Sequence, residues 1–94
     1  MFGLFNRAKV DYKAIVESGA KVIDVRTPQE FSSGHVKGSH NWPLDKIESW
    51  SKKLKAGEEV VLVCRSGGRA GQAQSYLQRA NITAHNAGAW QNLM

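Results

Sequence analysis

The apolar positions of this chain fall into two patterns, which predict strands and helices in alternation. Val60-Val61-Leu62-Val63 is an unbroken, largely β-branched run, the pattern of a strand covered on both faces as in a parallel sheet. Lys21-Val22-Ile23-Asp24-Val25-Arg26 predicts a second buried strand and Ile82-Thr83-Ala84-His85 a final one. Elsewhere the apolar residues recur at helical spacing. Ile47, Trp50 and Leu54 share one face of a helix starting at Asp45. Ala70, Ala73, Leu77 and Ala80 line another, whose small residues let it lie close on a sheet.

Polar punctuation sets the boundaries. Asp11 caps a first helix running to about Ser18, with Ile15 and Tyr12 on its inner side and Gly19 stopping it. Thr27-Pro28-Gln29-Glu30 carries a capping-box signal with proline at the first helical position, and the helix it opens ends at Gly34. Gly34 to Asn41 form a compact turn and short strand, Trp42-Pro43-Leu44 redirects the chain, and Lys55-Ala56-Gly57-Glu58 leads into the Val60 strand. Asn81 ends the long helix, and Asn86-Ala87-Gly88 is expected to turn into Ala89-Trp90-Gln91-Asn92-Leu93. This alternation predicts an α/β fold with an open, mostly parallel sheet covered by helices. Ligands of such sheets sit beyond the carboxyl ends of the strands, where Asp24-Val25-Arg26 and Cys64-Arg65 would share a crevice.

With 94 residues, 41% hydrophobic and 22% charged, the chain has room for one core, assigned to residues 11–94 after a lead-in over residues 1–10. Phe2, Leu4 and Phe5 of the lead-in are expected to lie on the core or to pair with another chain. No apolar run is long enough to cross a bilayer. Met1 to Arg7 put apolar residues before basic ones, the reverse of a secretory signal, so a cytoplasmic location is expected, although a removed leader would leave no trace. The net charge of +5 is scattered over the sequence without a basic helix face or stacking platform. It suits small anions rather than nucleic acid.

Chemistry concentrates in Cys64-Arg65-Ser66-Gly67-Gly68-Arg69-Ala70-Gly71. The lone cysteine cannot form an intrachain disulfide, which leaves packing, metal ligation or reaction. His35, His40 and His85 have no close Cys/His pairing, so no metal site is expected. The glycines free the backbone to turn successive N–H groups from Arg65 to Arg69 into an anion-binding nest, with a helix N-terminus aimed at the same point. That environment favours a thiolate. Arg69 is expected to brace the loop and supply positive potential, while Arg65, nearer the mouth, either meets an anionic substrate or, as exposed arginines commonly are, is only a surface residue. Ser66 either donates its hydroxyl to the sulfur or only forms the turn. Asp24 and Arg26 are expected to be architectural, pairing with each other or with neighbours, and Asp24 to help orient the loop. His35 suits a structural turn role, because a preformed thiolate needs no general base.

Three stretches together resemble the rhodaneses, in particular the short single-domain bacterial thiosulfate sulfurtransferases of the phage-shock type. They are Val22 to Phe31, Gly34 to Leu44, and Cys64 to Arg69 with Gly71-Gln72-Ala73, while Asn86-Ala87-Gly88 with Trp90 looks like the family's closing segment. Lys37 and Ser39 depart modestly from the pattern. The resemblance implies a five-stranded parallel sheet with helices on both faces, and a cysteine, here Cys64, that becomes a persulfide. It implies thiosulfate as donor, cyanide or a thiol as acceptor, and no cofactor. A persulfide carrier serving a protein partner, docking through Phe2, Leu4 and Phe5 or the basic surface, is the nearest alternative. Cysteine-based phosphatases and arsenate reductases share the thiolate, amide loop and trailing arginine, but Cys64 and Arg69 enclose only four residues, a smaller cradle than theirs.

Overall fold

A computed structural model describes residues 10–94, so the readings made for Phe2, Leu4 and Phe5 lie outside the described residues. The elements run α1 (Tyr12–Glu17), β1 (Lys21–Asp24), α2 (Pro28–Ser32), β2 (His40–Asn41), α3 (Ile47–Trp50), β3 (Glu59–Cys64), α4 (Gly68–Gln78) and β4 (Thr83–Ala89). Short 3₁₀ turns occupy Leu44–Lys46, Ser51–Lys53 and Trp90–Leu93.

The sheet order is β2-β1-β3-β4, and every pairing is parallel. Four strands are therefore present among the described residues, where the resemblance implied five. β3 lies inside the sheet and is buried from Val60 to Cys64. Its side chains alternate between two apolar layers, as the period of a strand requires. Val60, Leu62 and Cys64 join Trp50, Leu54, Ala70, Ala73 and Leu77 on the face covered by α3 and α4. Val61 and Val63 join Val22 and Ala87 on the other face, against Tyr12, Ile15 and Val16 of α1 and Trp90 and Leu93. Helices thus cover both faces. Ala70 and Ala73 are fully buried, so α4 approaches the sheet closely where it leaves the loop after Cys64.

Local signals explain most boundaries. Asp11 accepts the Ala14 N–H at 3.1 Å, and α1 stops before Gly19 at φ +115°. The Thr27/Glu30 capping box forms in full at the start of α2.

Two expectations need correction. The helix placed at Asp45 begins instead as a 3₁₀ turn, because Lys46 at φ −114°, ψ 19° interrupts it, and α3 is only Ile47–Trp50. Asn86-Ala87-Gly88 is not a turn after a short strand but part of β4. Its small polar residues read as a turn locally, and pairing with β3 overrides that preference.

Candidate active site

β3 delivers Cys64 to the carboxyl edge of the sheet, as its last residue. The chain then turns through Arg65 and Ser66 to Gly67, whose φ of +104° is accessible to glycine and makes it the N-cap of α4. That turn folds the backbone back over the sulfur. The Gly67 N–H donates to Cys64 Sγ at 3.0 Å and the Ala70 N–H at 3.4 Å. Cys64 itself is only 1% exposed. Burial pushes its thiol pKa up, but the amides of Ala70, Gly67, Ser66 and Arg69 outweigh it and hold the value below that of an ordinary thiol. Two amides are thus hydrogen-bonded to the sulfur, and that of Ala70 lies one residue beyond the expected Arg65 to Arg69.

The two arginines of the loop differ sharply. Arg69 lies in the first turn of α4, where the helix dipole disfavours a cation, and its guanidinium is held by Glu30 in a two-pronged pair of 2.7 and 3.0 Å. Glu30 also accepts from the Thr27 N–H and hydroxyl, so α2's cap and the loop's brace are one carboxylate. Arg69 thus ties the start of α4 to α2, and its charge is largely matched by Glu30. Arg65 is exposed and forms no hydrogen bond or ion pair among the described residues. Ser66 and Gly68 are exposed on the same loop.

The Arg69 hydrogen bond is the main reason that Glu30 falls from 4.5 to about 2. A carboxylate depressed in the folded state adds stability above its unfolded pKa and loses it as pH falls through the folded value. Glu30→Gln should therefore melt below wild type at neutral pH, with the difference closing from about pH 4.5 toward pH 2. Thermal denaturation at stepped pH checks this. The pair is about one-third exposed, so solvent keeps the difference small.

Asp24 and Arg26 pair with each other. Asp24 Oδ2 accepts from Arg26 Nη2 at 2.7 Å and both oxygens accept from Nε, while Asp24 is 0% and Arg26 4% exposed. Arg26 also donates to the carbonyls of Gly34 and Glu30 and stacks 4.8 Å from the Trp90 ring centroid. Asp24 is registered against Val63, the residue before Cys64. The pair thus ties β1, α2 and the closing segment together behind the loop.

His35 takes the turn role expected of it, with Nδ1 2.7 Å from the Phe31 carbonyl and its ring stacked on Phe31. Among the described residues there is no cluster of His, Cys, Asp and Glu suited to a metal, and no helix long and apolar enough to cross a membrane. A surface cavity of about 660 Å³ opens at the other end of the sheet, beside Lys21 and Val22 at the start of β1, and Cys64 does not line it. The amide contacts converge instead on Cys64, away from that cavity. Sequence reasoning noted Glu30 only as a cap and Asn86 only as part of a closing segment. No local signal reveals that Glu30 grips Arg69 or that Asn86 donates to the Gly67 carbonyl.

The family model of the Rhodanese-like domain matches residues 9–92. The chain belongs to the rhodanese-like family. Within it, the chain is 34% identical over 64 residues to the uncharacterized protein YqhL of Bacillus subtilis, covering 68% of this chain and 51% of that one. It is 33% identical over 78 residues to the chloroplastic thiosulfate sulfurtransferase 16 of Arabidopsis thaliana, covering 70% and 65%. This rhodanese-like chain thus spans about half to two-thirds of the length of these curated relatives. The crystal structure of SSP1007 from Staphylococcus saprophyticus superposes with a TM-score of 0.76 at 26% identity, over 88% of this chain and 85% of that one.

Proposed function

We propose that this rhodanese-like domain is a thiosulfate sulfurtransferase working through a persulfide on Cys64. The Cys64 thiolate attacks the sulfane sulfur of thiosulfate, a new S–S bond forms, and the donor's own S–S bond breaks as sulfite leaves with the electron pair. The outer sulfur of the persulfide carries the negative charge. Cyanide or a thiolate then attacks that sulfur, leaving as thiocyanate or as a new persulfide and returning Cys64 to the thiolate. No proton transfer, metal or organic cofactor is required in either step.

The observation that supports this reading is the pair of amide contacts to Cys64 Sγ at 3.0 and 3.4 Å, in a loop with only four residues between Cys64 and Arg69. The same donors that favour the thiolate favour the persulfide anion. Burial of Cys64 favours a donor attacked at a protruding terminal sulfur over a phosphate ester, whose phosphorus is enclosed by four oxygens.

Intact mass after incubation with thiosulfate tests the reading, with the gain of one sulfur atom expected. No gain, or substantial turnover of a generic phosphate ester, overturns it. Rapid gain with negligible discharge to cyanide or small thiols identifies a persulfide carrier for a protein acceptor instead. Arg65 is the cation assigned to the sulfite portion of the donor. A charge-assisted contact is worth roughly 1.5–3 kcal/mol, so Arg65→Ala should raise the thiosulfate KM by about tenfold or more, with a smaller effect on kcat. Unchanged thiosulfate kinetics would remove Arg65 from recognition.

A further inference from the structure

β3 and β4 lose register beside the reactive cysteine. Leu62 pairs with Asn86 but Cys64 pairs with Ala89, so β4 carries one extra residue there, and Gly88, at φ +80°, lies within that bulge. Asn86 uses both ends of its amide at this point. Its Nδ2 donates to the Gly67 carbonyl at 2.9 Å, and its Oδ1 accepts from the Gly88 N–H at 2.9 Å. One side chain therefore joins the bulge to the glycine whose own N–H contacts Cys64 Sγ.

The fit around it is close. The Gly67 carbonyl also accepts from the Gly71 N–H at 2.9 Å, the first bond of α4. A Cβ at Gly71 would stand 3.4 Å from Asn86 Nδ2, and one at Gly67 3.5 Å from Gly88 Cα. Glycine at Gly67 permits the left-handed conformation but does not enforce it, so the bonds around it hold it there, and the one from Asn86 comes from outside the loop and α4.

We propose that Asn86 is a positioning residue: by holding the Gly67 carbonyl it aims the Gly67 N–H and the first turn of α4 at Cys64 Sγ. This rests on the reading of Cys64 as the sulfur-carrying nucleophile, and it names a part of that site contributed by β4. The charged groups on the surrounding elements are Arg65 and Arg69 of the loop and α4, Asp24 at the end of β1 with Arg26 just after it, and Glu30 of α2. His85 of β4 pairs with Glu59 of β3. The Asn86 side-chain bonds go to backbone groups, so its removal alters the loop without removing a charge.

The experiment is the pH dependence of Cys64 alkylation by iodoacetamide, read by intact mass, in wild type, Asn86→Ala and Asn92→Ala. Asn92 is the matched control, because its Nδ2 gives a 2.8 Å bond to the Ala87 carbonyl of the same strand. Asn86→Ala should move the midpoint upward and slow alkylation at pH 7 by about three- to tenfold. Asn92→Ala should lower the melting temperature comparably and keep the wild-type midpoint. An unshifted midpoint in Asn86→Ala, or equal shifts in both variants, overturns the proposal. If Asn86→Ala does not fold, Asn86→Asp retains the size and the Gly88 contact but faces the Gly67 carbonyl with an acceptor. An upward midpoint persisting at about 1 M salt, where the screening length is about 3 Å, supports the proposal, and its absence overturns it. A wild-type midpoint at the ordinary thiol value of about 8.5 overturns the parent reading of Cys64 as well.

Discussion

Cys64→Ser is expected to abolish thiosulfate-dependent mass gain and to lower sulfur transfer to cyanide by on the order of a thousandfold or more, to the background of the assay. Serine keeps the shape of the side chain and can still accept from the Gly67 and Ala70 amides, which lie 3.0 and 3.4 Å from Sγ in the wild type. It lacks the polarisable nucleophile and cannot form a sulfur–sulfur bond. The amide cradle lowers the thiol's pKa, but an alcohol begins so much higher that the same donors leave it protonated at neutral pH. Because the swap exchanges one buried atom that retains its hydrogen-bond donors, the melting temperature should stay within a few degrees of wild type. Persulfide or comparable turnover on the serine variant would move the chemistry away from Cys64, and a large fall in melting temperature would make the loss of activity uninformative. Thiosulfate loading and thermal melting are therefore measured on the same sample.

The second large effect is one of stability. Asp24→Asn should destabilise the domain by about 3–5 kcal/mol, because it leaves the Arg26 guanidinium buried without its counter-charge. For a domain of this size, that corresponds to a fall in melting temperature on the order of 20 °C. The exposures of 0% for Asp24 and 4% for Arg26 decide the magnitude, since an exposed pair of the same length would be worth about 1 kcal/mol or less. The effect should reach the loop. Asp24 is registered against Val63, and Arg26 holds the carbonyls of Gly34 and Glu30, the latter belonging to the residue that grips Arg69. Asp24→Asn should thus show reduced kcat even at temperatures where it remains folded. Normal melting together with normal kinetics would remove Asp24 from both roles.

Much of the architecture was legible from local pattern. Val60 to Val63 read as a doubly covered strand, and Val61 and Val63 do face the opposite layer from Val60 and Leu62. Thr27 to Glu30 read as a capping box and form one. The glycines after Cys64 read as freedom for the backbone to turn into a helix, and Gly67 uses it at φ +104°. In each case the deciding energy acts between residues a few positions apart, which a linear reading can see. β4 was misread past His85 because Asn86-Ala87-Gly88 has weak strand preference, and only the ladder with β3 keeps it extended.

What the sequence determined by itself was the alternation of strands and helices, the position of the lone cysteine at a strand end, and the freedom of its loop to close on an anion. What the tertiary structure decided was which distant groups hold that loop closed. Glu30 meets Arg69 across 39 positions and Asn86 meets Gly67 across 19, through the strand order β2-β1-β3-β4 and the bulge beside Cys64. The physical reason is that a hydrogen bond or ion pair carries no mark in either partner's neighbourhood along the chain. Its partner is chosen by sheet order and register, which are settled by burial of the whole core rather than by any short run of residues.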